Sequence, residues 1–152
     1  MRMVSRMTLM TTSFRGLYDL RAGKPEDHAF VFATFLRGLY HGESWFSEIP
    51  RDIFMVNYKR ILEHMLKTGN LYVACLKDDP DVIIGYSLWN ADNTTLHWVY
   101  VKNTKLPDGT SWRQKGVARS LVGINPTQVS HLTAIGKKLL PKINAIFNPF
   151  SV

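Results

Sequence analysis

Apolar residues in this chain recur with two different spacings, and the change from one to the other falls at identifiable breaks. Leu17, Tyr18 and Leu20 make a short β-like run that Gly23 closes, so a first strand spans Tyr18–Ala22. Pro25 followed by Glu26 and Asp27 is the acidic, proline-led first turn of a helix, and Phe32, Phe35, Leu36 and Leu39 then fall on one stripe that runs to Gly42. Pro50 and Asp52 open a second helix in which Phe54, Tyr58, Ile61, Leu62 and Met65 repeat at three and four, while Lys59, Arg60, Glu63 and Lys67 face away; Gly69 and Asn70 stop it. Three β-like runs follow, Leu71–Leu76, Val82–Trp89 and Thr95–Val101, separated by the polar turns Lys77–Asp81 and Asn90–Thr94. In the third, Leu96, Trp98 and Tyr100 share one face and His97, Val99 and Val101 the other.

Beyond a loop at 102–112 that contains the turn Pro107-Asp108-Gly109, the segment Gln114–Leu121 reads as a short helix with Val117 and Leu121 turned inward, and Asn125-Pro126 breaks it. Gln128–Thr133 is expected to be a strand, Ala134–Lys142 a helix interrupted by Gly136 and Pro141, and Ile143–Phe150 a last extended piece. The order strand, helix, helix, three strands, helix, strand, helix, strand is mixed α+β with a mostly antiparallel sheet flanked by helices on both faces; it does not alternate like a doubly wound fold. Residues 1–13, where Arg2 and Arg6 interrupt Met3, Val4, Met7, Leu9 and Met10, are expected to be a flexible arm, and 14–152 one domain. No apolar run approaches the length of a membrane span.

Composition narrows the partners. The chain has 152 residues, 45% hydrophobic, enough to bury a core, and 19 Lys and Arg against 12 Asp and Glu give a net charge of +7. A positive surplus favours an anionic partner, be it a nucleotide-containing cofactor, a nucleic acid or a membrane surface, or it belongs to a plain soluble basic domain. The basic residues Lys102, Lys105, Arg113, Lys115, Arg119, Lys137, Lys138 and Lys142 lie mostly in the second half, and Trp112 could stack on a base, but no recognised nucleic-acid motif accompanies them, so nucleic acid is not the expected partner. The single Cys75 sits in an apolar strand and forms no internal disulfide, which fits a reducing cytoplasm. The histidines His28, His41, His64, His97 and His131 show no ligand spacing, and no metal is expected.

The candidate chemistry converges on Trp98–Ala118. A strand that feeds a glycine-containing turn and then a helix offers free backbone N–H groups, the positive end of the helix dipole and close access, which together suit a pyrophosphate. Within it, Arg113-Gln114-Lys115-Gly116-Val117-Ala118 resembles the acyl-CoA-binding signature of the GCN5-related N-acetyltransferase superfamily, which reads Arg or Gln, two residues, Gly, one residue, Gly or Ala. The order of the preceding elements is also that superfamily's. The chain further resembles the small acetyltransferase-like proteins of tailed bacteriophages, through Leu96–Val101 and through Asn148-Pro149-Phe150.

The resemblance implies an acetyl-CoA-dependent N-acyltransferase working by direct attack of an amine on the thioester, with acetyl-CoA as co-substrate, in the cytoplasm of a bacterial or phage-infected cell; a homodimer is compatible with it. It implies that amides around Gln114, Lys115, Gly116, Val117 and Ala118 cradle the pyrophosphate and that Arg113 supports the turn. Exposed backbone on Trp98, Val99, Tyr100 and Val101, where neighbouring strands splay, would bind the pantetheine and acetyl group. His97 is the candidate base, with a histidine packed on the sheet as the plainer account. Glu43 and Glu48 are alternatives in the aromatic loop Glu43–Ile49, where Trp45, Phe46 and Glu48 would wall and edge a pocket for a cationic amine, or simply pack or face solvent. The loop at 102–112 is longer than the superfamily pattern, and no tyrosine follows Tyr100 to protonate the leaving thiolate. Ser130 or His131 would have to substitute, or the chain is a non-catalytic binding or assembly protein on the same fold.

Overall fold

The computed structural model describes residues 17–123, 126–132 and 134–152. The arm expected over 1–13, and Asn125 and Thr133 at two of the expected element limits, lie outside those residues. The described elements are the strand β1 (Tyr18–Ala22), helix α1 (His28–Gly42), the single turn α2 (Ser44–Ser47), α3 (Arg51–Thr68), the strands β2 (Asn70–Leu76), β3 (Ile83–Trp89) and β4 (Thr95–Val101), the six-residue α4 (Val117–Val122), β5 (Gln128–Val129), α5 (Ala134–Ile143) and β6 (Ile146–Phe147). The strands are ordered β1-β2-β3-β4-β5-β6 in one sheet. β1 pairs antiparallel with β2, whereas β5 runs parallel to β4 and β6 parallel to β5. This is the mixed α+β, mostly antiparallel arrangement that the hydrophobic pattern predicts. Among the described residues no helix is long and apolar enough to cross a membrane.

Two compact units make up the chain. The first comprises the described part of Met1–Gly23 with Leu71–Ser87 and Val99–Ile124. Its β1–β2 ladder runs from Tyr18↔Leu76 to Ala22↔Tyr72, and the fully buried Tyr18, Val73 and Ala74 fill its interior with Val117 and Leu121 of α4. The Tyr18 hydroxyl reaches Ser120 Oγ at 2.8 Å, and Ser87 Oγ donates to Leu121 O at 3.2 Å. These bonds satisfy hydroxyls that would otherwise be costly to bury. Trp112, 7% exposed, meets the Tyr18 ring edge-on at 6.4 Å. β3 and β4 come unusually close at Gly85: a Cβ there would lie 2.5 Å from the Tyr100 carbonyl oxygen, so the position admits only a hydrogen.

The second unit comprises Lys24–Asn70, Leu88–Trp98 and the described part of Asn125–Val152. A 3₁₀ turn at Pro25–Asp27 leads into α1, with the Lys24 amide donating to Asp27 Oδ2 at 2.7 Å. Val31, Phe35 and Leu39, spaced by four, give α1 its buried face, and Phe54, Leu62 and Met65 do the same for α3. Pro50 precedes α3, Asp52 stands in its first turn, and the Gly69 amide closes it on Met65 O at 2.9 Å.

Four elements depart from the expected pattern. The strand expected over Gln128–Thr133 is only two residues long; the Ser130 amide still donates to Leu96 O at 3.1 Å, but the chain then leaves the ladder. The extended piece expected over Ile143–Phe150 pairs only at Ile146 and Phe147. The helix expected to begin at Gln114 begins at Val117, after a 3₁₀ turn over Trp112–Gln114. The helix expected to be interrupted by Gly136 and Pro141 instead runs unbroken through both, as α5, to Ile143, with Pro141 in its last turn.

Candidate functional site

In the first unit, the signature segment folds as a turn rather than as a continuous helix. Ser111 caps the 3₁₀ turn reciprocally: its own amide donates to Gln114 Oε1 at 2.8 Å while Gln114 N–H donates to Ser111 O at 2.9 Å. Gly116 follows with φ +74°, the left-handed region where a Cβ is penalised, and α4 starts immediately after it. The first amides of any helix lack intrahelical acceptors. The Arg113 Nε donates to Val101 O at 2.9 Å, which ties the turn to the end of β4. Arg113, Gln114 and Ala118 are exposed, Lys115 and Gly116 partly so, and Val117 is buried as the anchor of α4.

The long loop before the turn is a miniature hairpin. Gly109 N–H donates to Leu106 O at 2.9 Å across the Pro107-Asp108 corner, Leu106 N–H donates to Thr110 O at 2.6 Å, and Lys105 bridges Ser111 antiparallel. Gly109, with φ +88°, takes the left-handed position such a corner demands. Asp108 accepts from the Thr110 hydroxyl and amide and forms an ion pair with Lys115 at 3.3 Å. Those hydrogen bonds, Thr110 first, hold its carboxyl well down, at about 2. Lys115 of the signature is therefore partnered within its own unit.

In the second unit four polar side chains form one line. His97 Nδ1 lies 2.7 Å from Ser130 Oγ, Ser130 Oγ lies 2.8 Å from His131 Nδ1, and His131 Nε2 lies 2.5 Å from the Tyr58 hydroxyl. His97 comes from β4, Ser130 and His131 from the bend where the chain leaves β5, and Tyr58 from α3. Aromatic rings enclose the line. Phe35 is fully buried and meets Tyr58 at 6.3 Å, His131 edge-on at 5.5 Å and Trp98 at 4.7 Å, while Phe54 stacks on Tyr58 at 5.3 Å. His97 and Ser130 are 4% and 3% exposed.

Burial sets the protonation of these groups. Desolvation first, and then the charge of His64, lowers the His97 pKa to about 4. His131 is lowered to about 3, again chiefly by desolvation and next by His97, with a hydrogen bond to the His97 backbone acting the other way. Desolvation raises Tyr58 to about 12. At neutral pH the line is thus two neutral imidazoles, a hydroxyl and an intact phenol.

His97, Ser130 and His131, singled out separately in the sequence, are thus brought into one cluster. Phe46 packs edge-on against Phe54 at 5.5 Å and Tyr58 at 5.6 Å, and Trp45 stacks on Phe46 at 4.1 Å while remaining 57% exposed. Glu43 is in ion-pair contact with Lys137 at 3.8 Å, and Glu48 is exposed. Trp98 packs its ring on Phe35 and against Gly38, and among the described residues its indole N–H is buried without a hydrogen-bond partner. β5 is so short that it pairs with β4 only at Thr95 and Leu96. Val99 and Tyr100 are partly exposed, while Val101 is 8% exposed. Tyr58 is the member that the sequence does not announce: it sits on the apolar stripe of α3, 73 residues from the histidine it touches. Among the described residues no group of three or more His, Cys, Asp or Glu is arranged to hold a metal ion.

The sequence matches no protein-family model. It also matches no curated protein. Among solved structures the chain is similar to a GCN5-related N-acetyltransferase, "Aminotransferase, Class-II", from Rhodopseudomonas palustris, with 20% identity over 70% of this chain and a TM-score of 0.46. It spans 62% of that protein's length. It is also similar to a possible acetyltransferase from Clostridium difficile 630, with 15% identity, 89% of this chain and 82% of that one covered and a TM-score of 0.46. A third similarity is to AAC(6')-Iy in complex with the bisubstrate analog CoA-S-monomethyl-acetylneamine, with 18% identity, 84% and 90% covered and a TM-score of 0.43.

Proposed function

We propose that the chain is an acyl-CoA-dependent N-acyltransferase with acetyl-CoA as the acyl donor and an amine as acceptor. The observation that carries this reading is the folded form of the signature: a turn with left-handed Gly116, opening α4 and tied by Arg113 to the end of β4. Backbone amides of such a turn suit a pyrophosphate, and the exposed Arg113 and partly exposed Lys115 add positive charge beside it. The early end of β5 leaves the later residues of β4 outside the parallel ladder, in keeping with a strand whose backbone takes up the pantetheine arm.

Acyl transfer to an amine makes three demands. The ammonium must lose a proton, the tetrahedral oxyanion needs a donor, and the departing thiolate must be neutralised. His97, neutral at physiological pH, can accept through a bare Nε2 or donate through an Nε2–H, and its tautomer decides between the two. Saturating acetyl-CoA, at about a hundred times its Kd, should stabilise the fold by about 2.7 kcal/mol. For a chain of this size that raises the Tm by about 5–10 °C. Coenzyme A release in the presence of a panel of amines reads the chemistry. If millimolar acetyl-CoA moves neither the Tm nor the amide resonances around Gly116, the reading is wrong.

A second reading, a non-catalytic binding or assembly protein on this fold, is favoured by one observation: Asp108 of the lengthened loop already occupies Lys115 of the signature. Binding of acetyl-CoA with no transfer to any amine would select it.

A further inference from the structure

The line of four side chains has a direction, and the direction is set by Tyr58. Ser130 Oγ carries one proton and stands between two Nδ1 atoms, at 2.7 and 2.8 Å, so it donates to one imidazole and accepts from the other. That leaves two self-consistent patterns. In one, His131 carries its proton on Nδ1 and His97 on Nε2; in the other, both are reversed. Among the described residues the Tyr58 hydroxyl has a single hydrogen-bond partner, His131 Nε2. A phenol is a better donor than acceptor, and the bare nitrogen of a neutral imidazole is a strong acceptor, so the pattern in which Tyr58 donates to His131 Nε2 is the favoured one.

We propose that Tyr58 is a positioning residue that donates to His131 Nε2 and thereby, through His131 Nδ1–H to Ser130 and Ser130 O–H to His97 Nδ1, holds His97 as the Nε2–H tautomer. His97 is then a neutral hydrogen-bond donor and not a base. The order of the hydrogen bonds lies wholly within the second unit and stands independently of any reaction.

Imidazole nitrogen NMR of the ¹⁵N-histidine-labelled protein tests the order directly. The wild type should show a protonated Nε2 and a bare Nδ1 on His97, with the reverse on His131. Tyr58→Phe keeps the ring that packs on Phe35 and Phe54 and removes only the hydroxyl, and it should convert both histidines to tautomer mixtures. Ser130→Ala should release His97 while His131 keeps a bare Nε2 opposite Tyr58. A proton on His97 Nδ1 in the wild type, or a His97 tautomer unchanged by both substitutions in dispersed, folded spectra, overturns the proposal.

Discussion

Acid should unfold this protein through two histidines before it protonates most carboxylates. His97 and His131 titrate near 6.5 in an unfolded chain but at about 4 and about 3 in the folded one, because burial among Phe35, Phe54 and Tyr58 strips their charged forms of water. The groups around them are Tyr58, Ser130, His64 and each other, none of which supplies a negative charge at this pH. Between pH 6.5 and the folded values, the unfolded chain binds protons that the folded chain refuses, so stability is complete above pH 6.5 and falls as the pH is lowered. At pH 5 both folded groups are still neutral, and the loss depends on the unfolded pKa alone. Each histidine then costs about 2 kcal/mol, and together they cost about 3–4 kcal/mol once partial hydration of His131 is allowed for. Set against a total of about 5–15 kcal/mol for a typical domain, that is a large share. Urea unfolding followed by tryptophan fluorescence at pH 7.5 and pH 5 should show the midpoint falling by about 2 M. The double variant His97→Gln, His131→Gln should lose most of the pH dependence. A wild-type loss below about 1 kcal/mol, or an equal loss in the double variant, would refute the assignment of both groups as buried and neutral.

Two further outcomes follow from backbone geometry. Gly116→Val places a β-branched residue at φ +74°, so it should cost about 1–2 kcal/mol; it should also abolish stabilisation by acetyl-CoA, and a full ligand-induced shift in this variant would remove the turn from the binding reading. Gly85→Ala drives a Cβ to within 2.5 Å of the Tyr100 carbonyl oxygen. Thermal unfolding should show a loss of about 2–3 kcal/mol, and a neutral result would mean that β3 and β4 leave room for a methyl group at this point.

The elements most legible in the sequence are those whose signal is local. Tyr18–Ala22 and Thr95–Val101 appear where the alternation places them, α3 stops at the expected Gly69, and Pro107-Asp108-Gly109 makes the expected turn. What failed has a common cause. Gln128–Thr133 has strand-like composition, but composition cannot show that the Ser130 hydroxyl is held between two imidazoles just where the ladder ends. In the same way, the superfamily resemblance points to a proton-donating tyrosine downstream of Tyr100, where the chain has none. The tyrosine joined to the histidine cluster lies upstream on α3, in a position that periodicity alone assigns to packing. Glu43 looked free in the aromatic loop because nothing local links it to Lys137, 94 positions later by residue number. Contacts between distant segments are not encoded in any window of sequence, and both the line of four side chains and the Glu43–Lys137 pair are of that kind.

The brevity of β6 bears on how the protein behaves when crowded. β6 is last in the strand order, so a foreign strand arriving at that margin would find only the backbone of Ile146 and Phe147 before Pro149, which has no N–H to offer. Fibre growth by addition of strand to strand needs a long flat template, and two residues do not make one. The side chains there are apolar and open, Ile146 at 69% and Phe147 at 41%, but they come with no longer backbone edge for a ladder to extend. The sheet resists polymerisation at this end because the strand stops, with no charged gatekeeper or covering helix required.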